Sequence, residues 1–556
     1  MRSLVVRRLF NADLWSSEQR GSPAKFSVEG RHVLIATVSA VTICMLLGTT
    51  SILIPPAMYS DSGWGFLAGR GTLLNELNCL VLPNPVNIAT DLPTFYTAQS
   101  PGQYLLPGII SLSGVKLGVA IALTSMLSLL LSLIGWIKIF HKFAPDSKDV
   151  ILAAIAIGTF RYSTLPFGIY NGGEILLQAA TPWIILGTLK VPRLPLVPAG
   201  LLSGALVVVA FLMKETGLIV VGSGLIAGGL VALRRSHRIM PGMLGGAIGA
   251  LVAVGAVYEL FLSRGWTPVS TQQLPPSSQW SFFLEGVMFS VVAPWTAGVS
   301  WTDLLAWIFL HPGRELVHSW SIMILLMLPS AVVVASLVLL GKPRTEKETD
   351  FRRFAFGFYG VTLAVFVFLY IHGADIGYEE RHFRSAGTLL FVAALFSSTR
   401  PRVSGWMKYG FLALVGLMSL YGLASFSSHA LAMADGHSLD RTSWTNQPLV
   451  DQSAIRYLQE EYVHEGRDAL FAIPSPILAV TMPLEARLIA VHIDFQRETE
   501  IAALRYRGRV PGHIFVLIQD RIADSSKGKA LLRAFIDYNP QNWTRRRFSS
   551  SSIFIQ

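Results

Sequence analysis

His32-Val33-Leu34-Ile35-Ala36 opens an apolar run that continues to Pro55-Pro56, and five residues later the chain reads Tyr59-Ser60-Asp61-Ser62-Gly63-Trp64-Gly65-Phe66. The run is longer than the roughly 20 apolar residues a helix needs to cross a bilayer. It therefore delivers a carboxylate, Asp61, to a membrane surface. A polar-aromatic stretch follows, with Asp91 and then Ser100-Pro101-Gly102-Gln103-Tyr104-Leu105-Leu106-Pro107 leading back toward the next apolar run. A polar arm of roughly 30 residues precedes the first run, which lacks a small-residue cleavage site and is long enough to span. It reads as a retained anchor.

Outward from this stretch the same pattern repeats. Hydrophobic residues make up 52% of the chain, charged residues 14%, and mean hydropathy is +0.50. Soluble domains carry about 25% charged residues, so the composition describes an integral membrane protein. Apolar segments fall at 32–56, 115–140, 150–167, 174–190, 197–213, 216–233, 239–262, 318–341, 354–371, 383–398 and 409–427. The expected fold is an α-helical polytopic membrane protein of about 11 transmembrane helices, with a small C-terminal α/β domain.

A net charge of +11 raises the question of nucleic acid, and the placement of the charge answers it. Lys and Arg collect in alternate loops: the N-terminal arm 1–31, Lys138 to Lys148, Lys190/Arg193, Arg234 to Arg238, Lys342 to Arg353, and Arg400 to Lys408. Positively charged loops stay cytoplasmic, so the basic balance reports topology and nucleic acid is excluded as a partner. The expected location is a bacterial plasma membrane, with the N-terminus inside and residues 428–556 outside. Outer loops 57–114 and 263–317 are the long ones. In the first, Trp64 to Leu77 and Gln103 to Ser113 read as helices lying at the interface. The second is rich in Trp and reads as either re-entrant or packed on the membrane surface. In residues 428–556 the apolar runs shorten to strand length at 469–473, 488–493, 513–518 and 552–555, with a helix over 527–538, which gives the α/β domain. Cys44 and Cys79 form no disulfide framework and no metal-ligand spacing.

Several residues on the outer side carry chemistry. Asp61 or Asp91 suits a general base, with partial burial at the membrane edge bringing its pKa toward the working range. Arg161, in Phe160-Arg161-Tyr162, is an ionisable residue inside a membrane helix, a functional signal in itself. It either pairs with Glu174 or holds a phosphate. Lys214 and Glu215 interrupt two apolar runs, and Lys214 suits an anionic donor group. Glu380-Arg381-His382-Phe383-Arg384 opens a late helix with a cluster that would neutralise a leaving phosphate. Tyr96 and Tyr104 complete the polar-aromatic surroundings.

Taken in order and on one side, these motifs resemble the polytopic GT-C glycosyltransferases, the class that includes protein O-mannosyltransferases and aminoarabinose transferases. Asp61 stands where that class has an acidic residue after the first helix. Ser100 to Leu106 is similar to its Pro-Pro-Leu-Tyr re-entry, Leu212-Met213-Lys214-Glu215 to its Leu-Thr-Lys break, and Glu380-Arg381-His382 to its late Glu-Arg-Tyr motif. The resemblance covers most of residues 32–430. It departs at Ser62, where many members have a second acid, at Gly102 in the doubled proline, and at His382 in place of an aromatic. It implies transfer of a sugar from a polyprenyl-phosphate donor to a glycan, lipid or protein acceptor, with inversion. The donor phosphate would be bound by Arg161, Lys214, Arg381 and Arg384, and membrane lipid is the remaining partner. No cofactor is required by this reading, and a divalent metal stays open. A polysaccharide polymerase or ligase, and a transporter or non-catalytic scaffold, are the alternatives. Transport fits less well, because the charges lie at helix ends and no internal repeat is visible.

Overall fold

The structure is a computed structural model that describes residues 28–144, 148–235, 240–265, 276–309, 320–372, 376–398, 403–434, 451–490 and 505–556. The N-terminal arm to residue 27, Arg238, Trp266, Arg314, Asp375, Arg400, Arg402 and 491–493 of an expected strand lie outside these residues.

The first apolar run forms α1 (Val28–Leu53), which ends before Pro55-Pro56. Strand β1 (Ala57–Met58), α2 (Ser60–Leu73), the hairpin β2 (Cys79–Asn84) and β3 (Asn87–Phe95), and α3 (Gly102–Leu112) make up the first outer loop. The bundle continues with α4 (Leu117–Phe143), α5 (Asp149–Thr159), α6 (Arg161–Gly168), β4 (Ile169–Tyr170), α7 (Gly173–Thr188), α8 (Leu196–Met213), α9 (Gly217–Leu233) and α10 (Met240–Leu260). Then come α11 (Pro276–Ala297), α12 (Trp301–Phe309), α13 (Trp320–Leu340), α14 (Glu346–Ile371), α15 (Arg384–Ser398) and α16 (Gly405–Ala434). Among the described residues, nine helical stretches are long and apolar enough to cross a membrane, with α5 and α6 counted as one and α7 extended to Arg193. Of the eleven expected segments, α9 and α15 are shorter, at 17 and 15 residues. The last span runs to Ala434, seven residues beyond the expected 427.

Two interruptions place functional groups. Between α5 and α6, Phe160 is extended, with φ −61° and ψ 149°. Gly422 of α16 seats directly on this break, where a Cβ would lie 2.1 Å from the Thr159 carbonyl oxygen. The break starts a new helix at Arg161. The second interruption is the hairpin of α11 and α12. Gly286 packs on the Tyr370 ring, and Trp295 meets Tyr359 with ring centroids 5.2 Å apart. Helix α11 therefore descends antiparallel to α14, turns at Ser300 (φ 59°), and returns as α12. Of the two readings of this loop, insertion among the helices is the one adopted.

The C-terminal domain contains α17 (Gln452–Glu465), β5 (Leu470–Ile473), α18 (Pro476–Ala479), β6 (Arg487–Ala490), β7 (Ile514–Gln519), α19 (Asp520–Ala523), α20 (Ser526–Arg533), β8 (Thr544–Arg547) and β9 (Ser551–Ile555). Its sheet has the order β6-β5-β7-β9-β8, with β6, β5 and β7 parallel and the last two pairings antiparallel. It docks on the first outer loop through two arginines. Arg70, in the last turn of α2, donates to the carbonyls of Ala479, Met482, Pro483 and Leu484. Arg487 donates to Asp91 at 3.0 and 2.9 Å and to the Ile88 carbonyl at 2.6 Å. Burial lowers the Arg70 pKa to about 10, leaving the charge in place for these four acceptors.

Candidate active site

The site is assembled by short polar segments at one end of the helix bundle. Strand β1 pairs with β4 in parallel, and Tyr59 N–H donates to the Tyr170 carbonyl at 3.0 Å. This brings the start of α2 beside the Gly172-Gly173-Glu174 turn. Gln103 fixes the third side: its Oε1 accepts from Gly173 N–H at 2.9 Å, and its carbonyl accepts from Tyr170 Oη at 2.5 Å. Gly172 has φ 65°, and a Cβ there would fall 2.0 Å from Gln103 Oε1 and 3.2 Å from Ser62 Oγ. Only glycine serves at that point. Sequence segments 59–62, 100–104 and 170–174 are thereby locked together.

Glu174 is the centre of the charge cluster. Its carboxylate, buried at 5% exposure, pairs with Lys214, with Arg381 Nε at 3.8 Å and with Arg384 Nη1 at 3.7 Å. Arg384 also faces Asp303 at 3.8 Å, and Arg161 pairs with the same Asp303 carboxylate at 3.3 Å. Arg381 pairs in addition with Glu379. All four candidate cations thus belong to one connected network. The expected partner of Arg161 changes: it is Asp303, with Ser425 Oγ at 3.3 Å from its Nε, rather than Glu174. Arg384 stands out within this network. It is 11% exposed, and its Nε and Nη1 donors make no hydrogen bond. A guanidinium held between two carboxylates, with donors unused, suits an incoming oxyanion.

Asp61 lies in the first turn of α2, and its side chain is exposed. This differs from the partial burial expected of it. The negative charge of Asp61 favours the protonated form of Arg381, so the carboxylate and the cation network share one electrostatic environment. Asp91 does not join them. It sits on β3 in the ion pair with Arg487, between the first outer loop and the C-terminal sheet.

The supporting residues divide by role. Glu380 Oε1 accepts from Thr302 N–H at 3.1 Å and Thr302 Oγ1 at 2.6 Å, tying the start of α12 to the late motif. Burial, reinforced by the Asp303 charge, raises the Glu380 pKa to about 7. Burial, with Lys214 and the two arginines beside it, pushes the His382 pKa down to about 3, so the imidazole is neutral. Burial raises the Glu215 pKa, against the opposing pull of Ser100 and Lys214. Tyr96 and Tyr104 are fully buried, edge to face at 6.4 Å, and Tyr104 bonds Asn78. They brace the loop beneath the site.

Helices α9 and α14 leave an apolar groove lined by Ile226, Gly360, Val361, Ala364, Val365 and Phe368. On the same turn of α14, Phe366 meets the His382 ring at 6.2 Å. At about 100° per residue Phe366 points to the opposite side of α14 from the groove residues, into the buried cluster with Phe289 and Phe383, so the groove and the cation cluster lie on different sides of that helix. Among the described residues no group of three or more His, Cys, Asp and Glu is arranged to hold a metal ion.

No family model matches the chain, and no curated protein matches it. Among solved structures it is similar to the arabinofuranosyltransferase AftD from Mycobacteria, with 12% identity and a TM-score of 0.43 over 97% of this chain and 40% of that one. It is also similar to ArnT from Cupriavidus metallidurans bound to undecaprenyl phosphate, with 11% identity and a TM-score of 0.45 over 93% of this chain and 97% of that one. The chain thus spans about two fifths of the length of AftD.

Three members of the network are absent from the sequence-based site, Asp303, Glu379 and Tyr59. Asp303 is the one acid in the apolar helix Trp301–Phe309. That is the same signal that marks Arg161, an ionisable side chain in an apolar run. Tyr59 precedes α2, where the charges of Arg161, Asp303 and Arg381 act on its hydroxyl. Its place depends on the β1–β4 pairing, which two-residue strands do not announce.

Proposed function

We propose that this chain is an inverting membrane glycosyltransferase that takes a sugar from a polyprenyl-phosphate donor and passes it to an acceptor hydroxyl on the outer side. One observation carries the reading: four cations converge on a single outer-end cluster in which Arg384 has unused donors, beside the exposed Asp61. The order of the sequence motifs on one side of the membrane supports it further.

In this mechanism Asp61 takes the proton from the acceptor hydroxyl as its oxygen attacks the anomeric carbon. The bond from that carbon to the phosphate oxygen breaks on the opposite face, and polyprenyl phosphate leaves with the electron pair. Arg384, with Arg381 and Lys214, neutralises the charge that grows on the leaving oxygen, and such preorganised charge is commonly a large catalytic contribution. Neutral His382 adds no competing charge. Asp91 serves to hold the C-terminal domain.

The test uses purified protein in nanodiscs with a panel of polyprenyl-phosphate sugars, read by mass detection of transferred sugar. Asp61→Asn is expected to retain donor binding and lose transfer by about 10²-fold or more. Arg384→Gln is expected to weaken donor binding. Transfer at the unmodified rate by both variants would remove the proposed site.

A further inference from the structure

The C-terminal sheet has two unlike faces. Phe471, Phe515, Leu517 and Ile553 point to one side and belong to the same buried cluster as Trp64, Phe66 and Leu67 of α2. Ile514, Val516, Ile518 and Phe554 point to the other, packing with Tyr506, Leu531 and Phe535 in a second cluster that the β2–β3 hairpin meets through Ile88. One face is thus continuous with the core of the membrane domain. Residues 505–510 and α20 cover the face turned away from it.

That far side is basic. Residues 505–556 hold ten Lys and Arg against three Asp. The three carboxylates are occupied internally: Asp520 and Asp524 accept from Arg545, and Asp537 accepts from Gly508 N–H at 2.6 Å. The Arg545 guanidinium lies over Phe554 at 5.4 Å, which sets Arg545 and Arg547, two residues apart on β8, on the far face. Lys529 and Arg547 both act on the Asp524 carboxylate, so α20 and β8 bring their cations together. Arg505, Arg507, Arg509, Lys529, Arg533 and Arg547 are all exposed. Among the described residues no ion pair engages these six. Among the described residues strand β8 is also an unpaired edge, at the opposite end of the sheet from β6, which meets the first outer loop.

We infer that this face docks an anionic glycan chain, which makes the acceptor of the proposed transfer an acidic polymer. The choice of a glycan over nucleic acid rests on the outer-side placement proposed above. Lys529 and Arg533 stand one turn apart on α20, about 5–6 Å, and Arg547 of β8 acts on the same Asp524 carboxylate as Lys529. Cations spread in this way fit a partner with repeated charge better than a single phosphate. A bilayer headgroup surface would have to meet the face that is already packed on the membrane domain. An acidic polymer arriving from water meets the free one, and the attraction weakens with salt as counterions screen it.

The experiment measures binding of the full chain in nanodiscs of neutral lipid, with no donor present, so its outcome is independent of transfer. Polygalacturonate is the acidic probe, dextran of matched length the neutral one, and anionic phosphatidylglycerol vesicles the membrane probe. Polygalacturonate is expected to bind, more weakly at higher salt, and dextran not to bind. The triple variant Lys529→Glu/Arg533→Glu/Arg547→Glu is expected to bind about tenfold or more weakly, within the range by which surface charge changes association. Arg456→Glu, on the opposite side in α17, is expected to change binding less than twofold. Equal binding by the triple variant, equal loss in Arg456→Glu, equal binding of dextran, or binding of vesicles without polygalacturonate would each overturn the inference.

Discussion

Glu174 decides how the site's charges are held. A carboxylate this buried is stable as an ion only with cations around it, and it has Lys214, Arg381 and Arg384. Asp91 answers to the same rule in another place, since Arg487 is itself buried at 9% exposure. Asp91→Asn is expected to lower stability by about 1–3 kcal/mol, the scale for stranding a buried donor, while leaving transfer by the folded enzyme intact. A melting temperature unchanged from the parent, together with lost transfer, would return Asp91 to the catalytic site. Glu380 gives a pH signature. Its folded pKa, about 7, lies above the ordinary 4.5, so its contribution to stability is complete below about 4.5 and is lost as pH rises through 7. Melting temperature measured from pH 4.5 to 8 should fall less steeply in Glu380→Gln than in the parent. Parallel profiles would show that Glu380 does not titrate in this range. Most cationic members of this site were legible in the sequence because a charge in or beside an apolar run is conspicuous. Their partners were less so, because Arg161–Asp303 and Asp91–Arg487 join residues 142 and 396 positions apart, and no local pattern encodes that.

Elements follow the same division. Long apolar helices declare themselves by length, and strands β5, β7 and β9 by short buried runs between turn residues. The extended Phe160 and the hairpin of β2 and β3 were not read from the sequence. The first depends on Gly422 arriving from α16, and the second alternates too weakly to show its pairing. The interface of α8 and α10 shows packing of another kind. Gly200 and Gly249 let the two backbones meet, and a Cβ on Gly249 would fall 2.0 Å from the Gly200 carbonyl oxygen. Gly249→Val is therefore expected to cost about 1–3 kcal/mol or more, the range for forced overpacking. Gly255→Ala, on the same helix with nothing within 4 Å, is its control and should melt within a degree or two of the parent. Equal melting temperatures for the two variants would mean that the helices are not in close contact.

At the scale of the whole molecule, the question is which side each part occupies, and α15 decides it. Its 15 residues are short for a crossing, yet its ends lie far apart in the bundle. Phe383, just before it, meets Phe366 near the end of α14 with ring centroids 4.3 Å apart, and Phe396 near its own end meets Phe351 near the start of α14 at 5.0 Å. Helix α15 thus covers the same depth as residues 351–366 of α14, in the opposite direction. Thirteen of its 15 residues are buried, so neighbouring helices rather than lipid surround it, and the length needed to match a bilayer does not apply. Counting it as a crossing puts three helices, α14, α15 and α16, between Leu340 and Ala434. An odd number places those two points on opposite sides. From the five Lys and Arg of Lys342 to Arg353 we expect the first point to be cytoplasmic, and the C-terminal domain with the cation cluster to lie on the other side. Reporter fusions after Leu340 and after Ala434 should accordingly give opposite signals. The same signal from both would remove α15 as a crossing, and would put the C-terminal domain on the cytoplasmic side with Lys342 to Arg353.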